Sequence, residues 1–121
     1  MIRCVIFDLG GTLIDKYSMS PIVNLRKAFA FQNISLCNSL VSKDMGMKKF
    51  DHICTLSKEV EFKDKFKQVY GRSHDDTDLF NIYNIFCSLQ RQSLRTNVDL
   101  IPESKKAIHH LQKNDIKVAV N

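Results

Sequence analysis

The stretch Cys4-Val5-Ile6-Phe7-Asp8-Leu9-Gly10-Gly11-Thr12-Leu13 decides how this chain is read. Its apolar start predicts a buried strand over residues 2–7. The strand ends on a carboxylate, Asp8, and breaks into Gly10-Gly11. Open α/β sheets place their chemistry at the carboxyl ends of their strands. Glycine takes backbone angles that other residues resist, and it lets a ligand approach the main chain closely. Asp8 is therefore a candidate nucleophile or metal ligand, and Thr12 adds a hydroxyl one turn on. By itself the pattern is weak, because many strand–Asp–Gly turns have no catalytic role.

Beyond this loop the apolar period changes from strand-like to helix-like. A helix is expected over Pro21–Asn33, with Ser20-Pro21 as cap and first turn. Short helices are expected over Ser35–Ser42 and Met47–Leu56. A fourth, Lys58–Tyr70, is read with Val60, Phe66 and Val69 inward. A long helix follows over about Asp76–Leu94, capped by Thr77 or Asp76. Asn97–Pro102 reads as a linker, Glu103–Lys113 as a helix, and Ile116–Val120 as a second β-branched strand. The order is one strand, a helical block, a helix and a strand. A two-stranded parallel sheet cannot cover its own edges, so the expectation is a partial α/β domain that continues C-terminally.

The chain has 121 residues, 44% hydrophobic and 26% charged, an ordinary globular composition. It contains no run of about 18 apolar residues and no charged-then-apolar leader. The four cysteines, Cys4, Cys37, Cys54 and Cys87, lack metal-ligand spacing, so free thiols in a reducing cytoplasm are expected. The net charge of +5 suits an anionic ligand. The basic residues of Lys58–Lys67 alternate with acidic ones, as on a solvated helix face, so no nucleic acid or membrane partner is expected.

These residues resemble the haloacid dehalogenase superfamily, which opens with a strand ending in Asp-x-Asp-x-Thr and an inserted cap. Here the motif reads Asp8-Leu9-Gly10-Gly11-Thr12, with Gly10 in place of the second aspartate, the general acid/base of the phosphatases. A second stretch, Met45-Gly46-Met47-Lys48-Lys49-Phe50-Asp51-His52, resembles the cap motif of the phosphonatase branch, roughly Pro-Met-Gly-x-x-Lys-x-Asp-His. Phosphonatases also carry a small residue in place of the second aspartate. Two departures are mild: Asp44 stands where that branch usually has Pro, and Ser18 stands near a position often held by Cys. The family's second motif would begin immediately after Asn121.

The resemblance implies a partial doubly wound, Rossmann-like core with an inserted α-helical cap. Its parts are residues 1–16 (first strand and nucleophile loop), 17–97 (cap) and 98–121 (return to the core). It further implies Asp8, Lys49 and His52 as catalytic residues, and Thr12, Met45 and Gly46 as substrate-binding. Asp8 and the carbonyl of Gly10 would hold Mg²⁺. The substrate would be a small anionic phosphonate or phosphate, the setting cytoplasmic, and the assembly a possible homodimer. Lys49 would form a Schiff base with an aldehyde, and Asp8 an aspartyl-phosphate. Helical phase independently favours Lys49 over Lys48. Met47, Phe50, Ile53 and Cys54 are expected to form the buried stripe, with Lys48 facing solvent. Lys49 would then lie nearer the edge, on the side of His52.

The plain alternatives are that Lys49 is one of 13 surface lysines and His52 a packed histidine. At the level of the whole chain, two other readings remain open. One is a truncated, non-catalytic remnant or interaction module; the other is a related phosphatase or dehalogenase. The 121 residues alone are expected to be poorly stable and inactive.

Overall fold

The computed structural model describes residues 1–16, 19–96 and 99–121. Ser18 and part of the expected 97–102 linker lie outside the described residues. The elements run β1 (Cys4–Phe7), α1 (Met19–Phe31), α2 (Asn38–Ser42), α3 (Lys49–Leu56), α4 (Val60–Tyr70), α5 (Asp76–Thr96), α6 (Pro102–Lys113) and β2 (Lys117–Val120). They form two compact units, Met1–Met19 with Leu94–Asn121, and Ser20–Ser93.

In the first unit β1 and β2 pair in parallel, Cys4 opposite Lys117 and Phe7 opposite Val120. The Asn121 N–H donates to the Phe7 carbonyl at 2.9 Å, which continues the ladder to the end of β1. Helix α6 packs on β2 and starts with Pro at its first position, where a missing N–H costs nothing. It ends where Asp115 takes a positive φ of 56° and the Ile116 N–H closes on the Leu111 carbonyl at 3.0 Å. The expectation of a buried first strand fails here. Ile6 is 67% exposed, and β1 alternates between exposed and half-buried residues. A strand is buried on both faces only when helices cover both, and α6 is the one described helix packed on this sheet.

The second unit is helical around one core, with Phe29, Phe62, Phe66, Leu25, Ile34, Ile53, Leu56 and Ile82 fully buried. Phe62 meets Phe29 edge-on at 5.8 Å, a favoured arrangement of ring quadrupoles. In α4 the inward stripe is Phe62 and Phe66, one turn apart, whereas Val60 and Val69 are exposed. The expected inward Val60 and Val69 are thus corrected, because they sit on other faces of the helix than the Phe62–Phe66 row. Helix α1 begins at Met19, so Pro21 lies inside its first turn rather than opening it.

The start of α5 is held by Asp75, not by Asp76 or Thr77. The Asp75 carboxylate accepts the Asp78 N–H at 3.0 Å, and the Asp78 carboxylate accepts the Asp75 N–H at 2.8 Å. This reciprocal pair satisfies two of the donors every helix leaves unpaired at its start. Arg72 grips the Asp78 carboxylate with both terminal nitrogens, at 2.8 and 2.9 Å, and holds its pKa down at about 2. Among the described residues, no helix is long and apolar enough to cross a membrane.

Candidate active site

Asp8 follows the last residue of β1 and is exposed. The loop after it folds around one acceptor. The Leu9 carbonyl takes the N–H groups of Thr12, Leu13 and Ile14 at 3.3, 2.9 and 3.1 Å, while Gly11 donates to Ile14 at 2.7 Å. Gly11 carries the positive φ of 77° that this turn needs. The far end of the loop is tied down. Leu13 is buried, its carbonyl accepts the Ile101 N–H at 2.8 Å, and Ile14 bridges to Leu100. The buried Ser104 hydroxyl also reaches the Leu13 carbonyl, at 3.3 Å. Asp8, Gly10 and Thr12 therefore stand on the exposed side of an anchored loop. A Cβ at Gly10 would meet nothing within 4 Å, so open space surrounds that backbone.

The fit of the implied Mg²⁺ follows from the donors. Asp8 offers carboxylate oxygens, and among the described residues no loop backbone hydrogen bond ends on the Gly10 carbonyl. Mg²⁺ takes hard oxygen donors, often only one or two from protein, with substrate phosphate oxygens and water completing six. This donor set suits it. No group of three or more His, Cys, Asp or Glu among the described residues is placed to hold a metal without such help.

In the helical unit, Met45 and Gly46 lie in the turn before α3. Met45 is half-buried, and Gly46 is exposed with open space at its Cβ position. Lys48 is the exposed residue preceding α3, and Lys49 is its first residue. Met47 therefore stands outside the helix. It is 38% exposed rather than buried, with its sulfur accepting from the Thr55 hydroxyl at 3.6 Å. The Lys49 side chain turns back over the preceding turn. Its Nζ donates to the Met45 carbonyl at 2.6 Å and to that of Met47 at 3.4 Å. Burial lowers its pKa below the usual lysine value. Its place at the positive end of the α3 dipole acts in the same direction.

His52, one turn on, is fully buried, and neither ring nitrogen has a hydrogen-bond partner among the described residues. Burial, and then the Lys49 charge, lower its pKa; Asp44 and the nearby Val41 backbone oppose them. The Val41 backbone approaches the ring as a hydrogen-bonding group would and favours its charged form, but among the described residues no contact to either nitrogen has full hydrogen-bond geometry. Neutral imidazole is therefore the favoured form. Asp44 is the residue that sequence reasoning passed over. It stood out only as a substitution, and its charge bears on His52 because the 44–48 turn folds back.

The helical unit thus brings Met45, Lys49 and His52 to one place, and the sheet unit presents Asp8, Gly10 and Thr12 on one loop. An amine with a depressed pKa beside a neutral imidazole is equipped to attack a carbonyl carbon.

No protein-family model matches the chain. The chain is 32% identical over 117 residues to a phosphonoacetaldehyde hydrolase of Pseudomonas fluorescens, covering 97% of this chain and 42% of that protein. It is 31% identical over 118 residues to one of Latilactobacillus sakei, covering 98% and 44%. The chain therefore spans less than half the length of the curated relatives it matches. A phosphonoacetaldehyde hydrolase-like protein of Oleispira antarctica has the same fold over 99% of this chain and 44% of its own, with a TM-score of 0.87 at 24% identity. A hydrolase from Pseudomonas syringae follows with a TM-score of 0.70 at 20% identity. Over nearly the whole of its own length, then, this chain is similar to phosphonoacetaldehyde hydrolases and shares the fold of haloacid dehalogenase-type hydrolases.

Proposed function

We propose that this chain carries the aldehyde-binding lysine and the phosphoryl acceptor of a phosphonatase-like hydrolase acting on phosphonoacetaldehyde. The observation that carries the reading is the state of Lys49. Its amine is half-buried and depressed in pKa, and it lies beside a buried imidazole whose nitrogens are unbonded among the described residues.

A P–C bond is hard to break because the electron pair must stay on carbon. Neutral Lys49 attacks the aldehyde carbon, and loss of water leaves an iminium. Asp8 then attacks phosphorus as the P–C bond breaks. The bonding pair flows into the iminium to give an enamine, which takes a proton on carbon and is hydrolysed to acetaldehyde and free Lys49. Water hydrolyses the aspartyl-phosphate to phosphate. His52 would move protons during imine formation. Thr12, Met45 and Gly46 would line the substrate. Asp8 and the Gly10 carbonyl would hold Mg²⁺, which would neutralise phosphoryl oxygens. The work of the departed general acid, whose position Gly10 occupies, falls to the iminium.

The test is kinetic and uses the full-length protein. Lys49→Arg should abolish release of phosphate from phosphonoacetaldehyde, and Asp8→Asn should do the same. Full turnover by Lys49→Arg would refute the imine, and ester hydrolysis that survives it would favour an ordinary phosphatase.

A further inference from the structure

We infer that the outer face of α1 carries a second ligand site, for a small organic anion with a short apolar body. Val23, Arg26, Lys27 and Ala30 lie at i, i+3, i+4 and i+7, on one face of the helix. With Ser35 and Leu36 from the following loop they line a cavity of about 220 Å³. None of these residues belongs to the chemistry proposed for Asp8 and Lys49.

Its apolar lining is the buried Leu36 with the exposed side chains of Val23 and Ala30 beside it, and the rest of its lining is polar. Arg26 and Lys27 are exposed and form no ion pair or hydrogen bond with any described residue. The Ser35 hydroxyl is likewise unpaired among the described residues. The Ser35 carbonyl is occupied, because Lys65 donates to it while also pairing with Glu61 at 2.7 Å. Among the described residues, the carboxylate bonded near this rim is thus already neutralised, and the cavity faces two cations and one hydroxyl without partners.

A guanidinium fork beside an ammonium matches a carboxylate or phosphate head. The apolar lining matches a few methylene or aromatic carbons. Pockets for drug-sized ligands run from about 300 Å³ upward, so this one limits its occupant to a smaller molecule. Both halves are needed. A bare inorganic anion would leave the apolar lining wet, and an uncharged alkane would leave the cations idle.

The probe is octanoate, titrated into the full-length protein and followed by ¹H–¹⁵N spectra. Saturable shifts are expected at Val23, Arg26, Lys27, Ala30, Ser35 and Leu36, with much weaker ones for octanol or acetate. Arg26→Glu with Lys27→Glu should weaken binding at least about tenfold. Lys63→Glu with Lys67→Glu, an equal charge change on exposed positions of α4, should change it less than about twofold. Ala30→Phe, which fills the cavity, should abolish binding while circular dichroism stays unchanged. If the Glu pair at 26 and 27 perturbs the fold, Arg26→Gln with Lys27→Gln replaces it. Equal weakening by both charge pairs would overturn the site in favour of diffuse electrostatic attraction. Shifts that do not saturate would overturn it too. So would a mass change on charge reversal without octanoate binding, which would make the face a contact between copies.

Discussion

Replacing His52 with leucine should stabilise the helical unit while removing a group the proposed chemistry uses. The neutral ring has one donor and one acceptor, and both nitrogens are buried without partners among the described residues. A buried polar group left unpaired costs about 1–3 kcal/mol. Leucine has nearly the same volume and no polar atoms, and the shape change costs up to about 1 kcal/mol. The net expectation is a gain of about 1–2 kcal/mol, or roughly 5–10 °C in melting temperature for a unit of this size.

The gain should depend on pH. Burial and Lys49 depress the folded pKa of His52 below 6.5. Below 6.5, then, the unfolded chain binds a proton that the folded chain refuses. Stability associated with His52 is complete above that value and is lost as pH falls through the window below it. His52→Leu lacks this loss, so its advantage should widen from pH 7.5 to 5.5. Urea unfolding followed by circular dichroism at both values reads it directly. A His52→Leu chain less stable than the parent by 1 kcal/mol or more, or an advantage indifferent to pH, would refute the claim of an unpartnered ring.

Other consequences are simpler to read. Asn24 is buried and donates to Gln90 at 2.9 Å and Ser93 at 2.8 Å, so Asn24→Ala should cost about 1–3 kcal/mol in urea unfolding. Asp78→Asn should cost about 1 kcal/mol near neutral pH, a modest value because its Arg72 partner is half exposed. The folded pKa of Asp78, about 2, lies below its ordinary value of 3.8. That contribution is therefore present above 3.8, and the cost of Asp78→Asn should fade as pH drops toward 2. Gly71 ends α4 with a φ of +67°, and Gly71→Ala should cost about 1 kcal/mol in melting experiments.

Which parts of this structure were legible in the sequence follows from what each signal depends on. The strands and helices were readable because β-branched runs and 3.6-residue apolar spacing are local. The parallel pairing of β1 with β2 was implied by two short apolar strands separated by helices. Burial was less legible. Ile6 looks like a core residue, yet its exposure depends on what covers the sheet. In α4 the sequence offers several apolar residues, and only packing selects Phe62 with Phe66 over Val60 and Val69. Lys49 and His52 could be singled out by motif and helical phase. The fold-back of the Lys49 amine onto Met45 and the unbonded state of the His52 ring could not, since both depend on the turn before α3. The cap of α5 at Asp75 was missed because four polar residues in a row offer equivalent local signals.

The most direct test of the account is chemical trapping. The full-length protein is incubated with phosphonoacetaldehyde, reduced with borohydride and mapped by peptide mass spectrometry. The account predicts one dominant secondary-amine adduct, on Lys49 and not on the other 12 lysines of these 121 residues. Its yield should rise with pH and level off below 10.5, because the Lys49 amine sheds its proton early. Adducts spread evenly over exposed lysines, or none on Lys49, would contradict the central claim.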